Sequence, residues 1–243
     1  AKSLEHALQL NAEDLECRDY LSQAYISMGD LQKAYEQLQI LSEAQTDNVT
    51  VLLRMADVAY MMENYTAMSE VCDKALHLDT SNLQTYLYYA KACRGLGEPI
   101  RAVAVLSLAI KLREDYYAAH LLRGTILLEN HLLDDAAQDA DYLFTHLEPN
   151  EDVLLLKARV LKAQEKTKEA EQVYGMVIEV NPFSLDAYRE RSEVRTILGD
   201  AAGAAEDEAS IKEMGAEVPE PSEGIEQKIK EKMQQLDPYK VFH

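Results

Sequence analysis

The sequence predicts an all-α solenoid, a row of paired helices stacked one against the next, and three observations lead there. The 243 residues include only nine Gly and six Pro, too few for the many tight turns of an all-β fold, whereas helix-forming Ala, Leu, Glu, Lys and Gln abound. Small residues recur at a fixed spacing of 34. An apolar position recurs at the same spacing.

The first small series runs Ala34, Met68, Ala102, Ala136, Ala170 and Ala204, alanine at every step but one. Twelve residues earlier in each unit a second series runs Ser22, Ala56, Ala90, Gly124, Ala158 and Ser192. Antiparallel helices approach to about 8 Å only where facing side chains are short, so these two positions mark where the helices of one unit cross. The apolar series Leu41, Ala75, Ala109, Leu143, Val177 and Ile211 fills around them. Gly29, Gly97 and Gly199 fall between the helices, where a left-handed residue can end the first of them.

This helix-turn-helix pattern resembles the tetratricopeptide repeat, whose consensus places small residues at positions 8, 20 and 27, Gly or Asn near 15 and Pro near 32. In that frame the repeats start at Leu15, Val49, Leu83, Tyr117, Glu151 and Leu185, giving six units over 15–48, 49–82, 83–116, 117–150, 151–184 and 185–218. Only Pro182 holds the consensus proline place, Pro149 is displaced by one, and the aromatic of position 4 survives as Tyr86 and Tyr188. The resemblance implies a right-handed superhelix. Residues 1–14 match the end of a second helix, with Ala7 at position 27, so the first repeat reads as truncated. Residues 219–243 leave the pattern: PEPSEG reads as a linker, Ser222 as an N-cap, and Ile225, Ile229, Met233 and Leu236 as the apolar stripe of a capping helix for the last repeat.

Composition bounds the partners. The 24 Lys and Arg stand against 43 Asp and Glu, a formal charge of −19 whose field repels phosphate backbones and argues against nucleic acid. No segment approaches the roughly 20 apolar residues of a membrane-spanning helix. Cys17, Cys72 and Cys93 are odd in number and lack CxxC spacing, so they read as buried thiols rather than a disulfide frame or a zinc site. No charged stretch followed by an apolar one opens the given sequence as a signal peptide would, so a cytoplasmic chain is favoured, and a processed secreted or periplasmic form stays open.

Catalytic signatures are absent. The chain carries no GxSxG, HExxH, GxxxxGK[ST] or GxGxxG, so neither an enzyme nor a cofactor is expected. Glu129, His131, Asp134 and Asp135 cluster in LENHLLDD, where the repeat turns, and their spacings do not share a helix face as metal ligands would.

One pair of positions swaps chemistry. Position 7 reads Leu21, Met55, Tyr89, Arg123, Lys157 and Arg191, while position 23 on the partner helix reads Gln37, Val71, Val105, Asp139, Val173 and Asp207. Asp occurs only opposite Arg, which predicts two ion pairs inside repeats four and six.

The resemblance also implies where a ligand would lie, because positions 2, 5, 9, 12 and 13 of tetratricopeptide first helices line a concave groove. Here position 5 gives Leu53, Leu87, Leu121 and Leu155 in register, with Tyr60, Met61 and Leu128 extending an apolar floor. Lys91, Arg94, Arg159 and Lys162 place cations beside it. That arrangement suits a protein or peptide partner with apolar anchors and acidic groups. The Lys and Asn clamp by which some members hold a terminal carboxylate is missing, since Asp19, Tyr20, Gln23, Leu53, Arg54 and Asp57 occupy its places. The sequence therefore reads as a non-catalytic interaction module, with an assembly scaffold or a regulatory domain of a larger protein as alternatives.

Overall fold

In the computed structural model, which describes residues 1–216, thirteen α-helices and no strand are formed. The linker and capping helix expected over 219–243 lie outside the described residues. The chain separates into two compact units, Ala1–His146 and Leu147 onward.

The first unit holds α1 (Lys2–Leu10), α2 (Leu15–Met28), α3 (Leu31–Ala44), α4 (Val49–Met61), α5 (Tyr65–Leu78), α6 (Leu83–Gly95), α7 (Pro99–Leu112), α8 (Tyr117–Glu129) and α9 (Leu133–His146). Each helix packs on the next in chain order, and α4 also meets α6, as α6 meets α8. The second unit holds α10 (Glu151–Ala163), α11 (Thr167–Val180), α12 (Leu185–Leu198) and α13 (Ala201–Ala216), packed in the same sequential way.

Two local devices set the helix ends. The first helices of the repeats are preceded by Asp14, Asn48, Asn82, Tyr116, Asn150 and Ser184, and in all but Tyr116 the side chain accepts a hydrogen bond from a backbone N–H of the first turn. Such a cap contributes about 1 kcal/mol by satisfying a donor that has no partner within the helix. At the other end, the residues with positive φ among the described residues are Gly29, Glu63, Gly97, His131, Glu165 and Gly199, one in each repeat and 34 apart. The turn geometry therefore belongs to the repeat and is imposed on three non-glycine residues.

The small residues lie where the spacing places them. Ala34, Met68, Ala102, Ala136 and Ala170 are completely buried, as are Ser22, Ala56, Ala90 and Ala158. Removing these methyls and methylenes from water, together with Leu38, Leu41, Val58, Leu106, Leu143 and Tyr174, supplies the apolar term that holds the helix pairs. Gly95 has a separate reason to be small: a Cβ there would collide with the ring of Tyr65 where α6 ends against α5. Cys17, Cys72 and Cys93 are free, buried thiols.

Candidate functional site

The candidate face in the first unit is carried by the first helices α2, α4, α6 and α8. Leu53, Leu87 and Leu121 are half-buried, one on each of α4, α6 and α8, with Asp19 holding the same place on α2. Tyr60 and Met61 are 41% and 45% exposed at the end of α4, and Leu128 is half-buried at the end of α8. Each leucine thus keeps part of its surface in water while its remainder packs into the unit.

Polar side chains tie each first helix of this face to the next. Arg54 reaches back to Asp19 and donates through Nη2 to the Ser22 hydroxyl at 2.7 Å, joining α4 to α2. Tyr88 donates to Asp57 at 3.1 Å, joining α6 to α4; burial and the nearby Asp57 carboxylate raise Tyr88 above the usual tyrosine range, which keeps its hydroxyl a donor. Arg94 grips both carboxylate oxygens of Glu129, with its Nε 3.0 Å from one of them, joining α6 to α8. Lys91 differs, its ammonium standing 5.1 Å from the centre of the Tyr60 ring and 5.8 Å from that of Tyr88, within cation–π range.

The expected floor and its cations need correcting in the second unit. Leu155 is buried at 8% exposure within the packed interior of α10–α12 and offers little surface to a ligand. Arg159 donates to Glu190 at 2.7 Å and to Asp186 at 3.0 Å, and Lys162 to Glu193 at 2.5 Å, tying α10 to α12. The hydrogen bond to Glu190 holds the Arg159 guanidinium above its usual range. Glu190 also accepts from Tyr174 at 2.7 Å, and burial pushes that hydroxyl up. Arg94, Arg159 and Lys162, expected as cations for a ligand, each hold a carboxylate of the neighbouring repeat instead, Arg94 and Lys162 in pairs that reach solvent. The signal lay in the sequence: 94 to 129 is a step of 35, and 159 to 190 and 162 to 193 are steps of 31, so opposite charges recur one repeat away with an offset of one position or three.

The two internal ion pairs expected from positions 7 and 23 are present. Arg123 meets Asp139 with Nε at 2.8 Å and Nη2 at 2.7 Å, and Arg191 meets Asp207 at 3.0 and 2.6 Å. Each gained partners that the spacing did not announce. His120 Nδ1 lies 2.7 Å from Asp139, and Arg195 donates to Asp207 at 3.1 Å. Among the described residues no group of three or more His, Cys, Asp or Glu is disposed to hold a metal ion, and no helix is long and apolar enough to cross a membrane.

This stacking of helix pairs is shared with solved proteins. A tetratricopeptide repeat protein from Parabacteroides merdae matches with a TM-score of 0.73 over 87% of this chain and 82% of its own, at 20% identity. The fold is that of the tetratricopeptide repeat proteins. The tetratricopeptide likeness extends to PilW, a widely conserved type IV pilus biogenesis factor, with a TM-score of 0.72 over 89% of this chain and 99% of that one at 16% identity. It extends also to a thermophilic tetratricopeptide protein of Thermus thermophilus, with a TM-score of 0.57 over 74% of this chain and 98% of its own at 17% identity. In sequence, the chain is 21% identical to DnaJ homolog subfamily C member 3 of Bos taurus over 244 residues, spanning 98% of this chain and 44% of that protein. No family model matches the chain.

Proposed function

We propose that this chain is a non-catalytic protein-interaction module, and that the face of α4, α6 and α8 holds a peptide segment of a partner protein. The observation that carries the reading is the register of Leu53, Leu87 and Leu121, half-buried on successive first helices with part of each side chain in water. Stacked helices stand about 10 Å apart, so the leucines repeat at a distance matched by every third residue of an extended peptide or every seventh of a helix. Apolar anchors at that spacing in the ligand would cover them. Lys91, which faces aromatic rings, is the cation suited to meet an acidic group, while Arg94 and Glu129 brace the floor.

The test replaces Leu87 and Leu121 by Asp, with helicity and melting followed by circular dichroism, and compares the proteins captured by each form under identical conditions. Partners lost from the folded Leu87→Asp, Leu121→Asp form support the groove. A captured partner that binds this form with unchanged affinity rules the face out.

A further inference from the structure

Position 9 of the first helices runs Gln23, Asp57, Lys91 and Thr125 through the first unit, each one turn beyond the place of Asp19, Leu53, Leu87 and Leu121. In repeats one and four this position is neutral and satisfied within its own helix. Gln23 donates to Asp19 at 2.7 Å, and the Thr125 hydroxyl donates to the Leu121 carbonyl at 2.8 Å. In repeats two and three it is charged, half-buried and of opposite sign. The sister repeats show that the slot folds without a charge, so building the repeat does not explain Asp57 and Lys91.

Neither charge is answered inside the chain. On the same face Asp19 with Arg54, and Arg94 with Glu129, hold each other across neighbouring repeats. Among the described residues, however, no cation stands within 4.0 Å of Asp57 and no carboxylate within 4.0 Å of Lys91. Asp57 takes its hydrogen bond from the Tyr88 hydroxyl on Oδ1, which leaves Oδ2 without a donor among the described residues. The Lys91 ammonium stands over the rings of Tyr60 and Tyr88 rather than against an acceptor. Tyr88 thus touches both groups and leaves each with bonding capacity that only a group outside the chain can use. Half-buried, each charge has given up part of its hydration without meeting an opposite charge.

We propose that Asp57 and Lys91 set the charge order of the peptide held on this face, an inference that rests on the groove reading above. The bound segment carries a basic side chain over α4 and an acidic one over α6, beside the apolar groups that cover Leu53 and Leu87. The two helices stand about 10 Å apart, so these charges fall about three residues apart in an extended segment or about seven apart in a helix. A segment of one sign gains at one helix and is repelled at the other, so the pair selects against it as well as for the ordered one. A phosphate-bearing strand or surface meets the same repulsion at Asp57. Because the two charges sit on different helices, they also fix which end of the segment lies toward the N-terminal repeats.

The experiment uses the full chain to select from a displayed library of random peptides long enough to span α4, α6 and α8, and the enriched peptides are measured by fluorescence anisotropy. The comparison forms, checked by circular dichroism, are the charge exchange Asp57→Lys, Lys91→Asp, the neutral Asp57→Gln, Lys91→Thr, and Leu87→Asp, Leu121→Asp. The neutral form carries the residues of repeats one and four, so it is expected to fold. Enriched peptides should share a basic and an acidic residue at one spacing and in one order, and the exchange form should enrich the reverse order. The neutral form should bind the original peptides about tenfold or more weakly, a difference that salt narrows. Peptides without ordered charges that still lose binding in the Leu87→Asp, Leu121→Asp form, or the same order enriched by the exchange form, would overturn the charge assignment and leave the groove standing. If the exchange form does not fold, equal binding by the neutral form is the overturning result. Peptides that bind the Leu87→Asp, Leu121→Asp form unchanged, or no enrichment at all, would overturn the groove and the charge assignment together.

Discussion

Arg123 holds both carboxylate oxygens of Asp139 across repeat four, and Asp139, at 1% exposure, also lies 2.7 Å from the ring of His120. One buried carboxylate thus neutralises a guanidinium that sits where repeats one to three carry Leu21, Met55 and Tyr89. Asp139→Ala would leave the half-buried Arg123 without its partner, and a loss of about 3–5 kcal/mol in urea unfolding is expected. The matched form Arg123→Met, Asp139→Val restores the apolar pair of repeat two, Met55 with Val71, and should recover most of that loss. Additive losses in the double-mutant cycle would remove the pair as a coupled unit.

The turns of repeats two and five hold Glu63 at φ 54° and Glu165 at φ 61°, in a conformation that costs an L-residue about 1–2 kcal/mol. Glycine occupies the same place in repeats one, three and six. Glu63→Gly and Glu165→Gly should therefore each stabilise the fold, by about 0.5–1 kcal/mol once the greater freedom of glycine in the unfolded chain is set against the relieved strain. An unchanged or lowered melting temperature in both would contradict this account of the turn.

Gly95 is small because α6 ends against the Tyr65 ring. Gly95→Ala raises helix propensity, which alone would stabilise by about 1 kcal/mol. The clash should outweigh it and give a net loss of about 1–2 kcal/mol. In a Tyr65→Ala background, the same substitution should turn stabilising, and a persistent loss there would show that the ring is not the obstacle.

Burial of the Cys72 thiol, with Cys93 near it, raises its pKa to about 12, against about 8.5 in an unfolded chain. Above pH 9 the unfolded state gives up this proton while the folded state keeps it, so the contribution is full below the unfolded value and is lost as pH rises toward 12. Stability should fall by a few kcal/mol, about 3–4, across that window. Cys72→Ala will be less stable at pH 7 through the space it leaves, yet its stability should fall less steeply between pH 9 and 12. Parallel curves for the two proteins would refute the assignment.

What the sequence disclosed was what a single helix pair determines. Ala34 and Ser22 predict a close crossing because only short side chains permit one, and both are buried. The ion pairs of Arg123 and Arg191 were legible because the partner sits sixteen residues on in the same repeat. Contacts between repeats were harder to read, since they depend on the offset at which one first helix lies against the next. That offset decided that Arg94 would meet Glu129 and that Arg159 would meet Glu190 rather than face an open groove. It also buried Leu155 while leaving Leu53, Leu87 and Leu121 only partly covered. The division after His146 left no mark, because the link to α10 has the same four residues as every other link between repeats.

The clasps between first helices bear on the mechanics of the first unit. Asp19 with Arg54, Asp57 with Tyr88 and Arg94 with Glu129 each bridge two repeats rather than stabilise one, so they act as cross-ties that resist splaying of neighbouring helices. Two of the three are ionic and reach solvent, and salt weakens such pairs. Raising ionic strength is therefore expected to loosen the spacing of neighbouring first helices on this face while leaving the helices themselves unchanged.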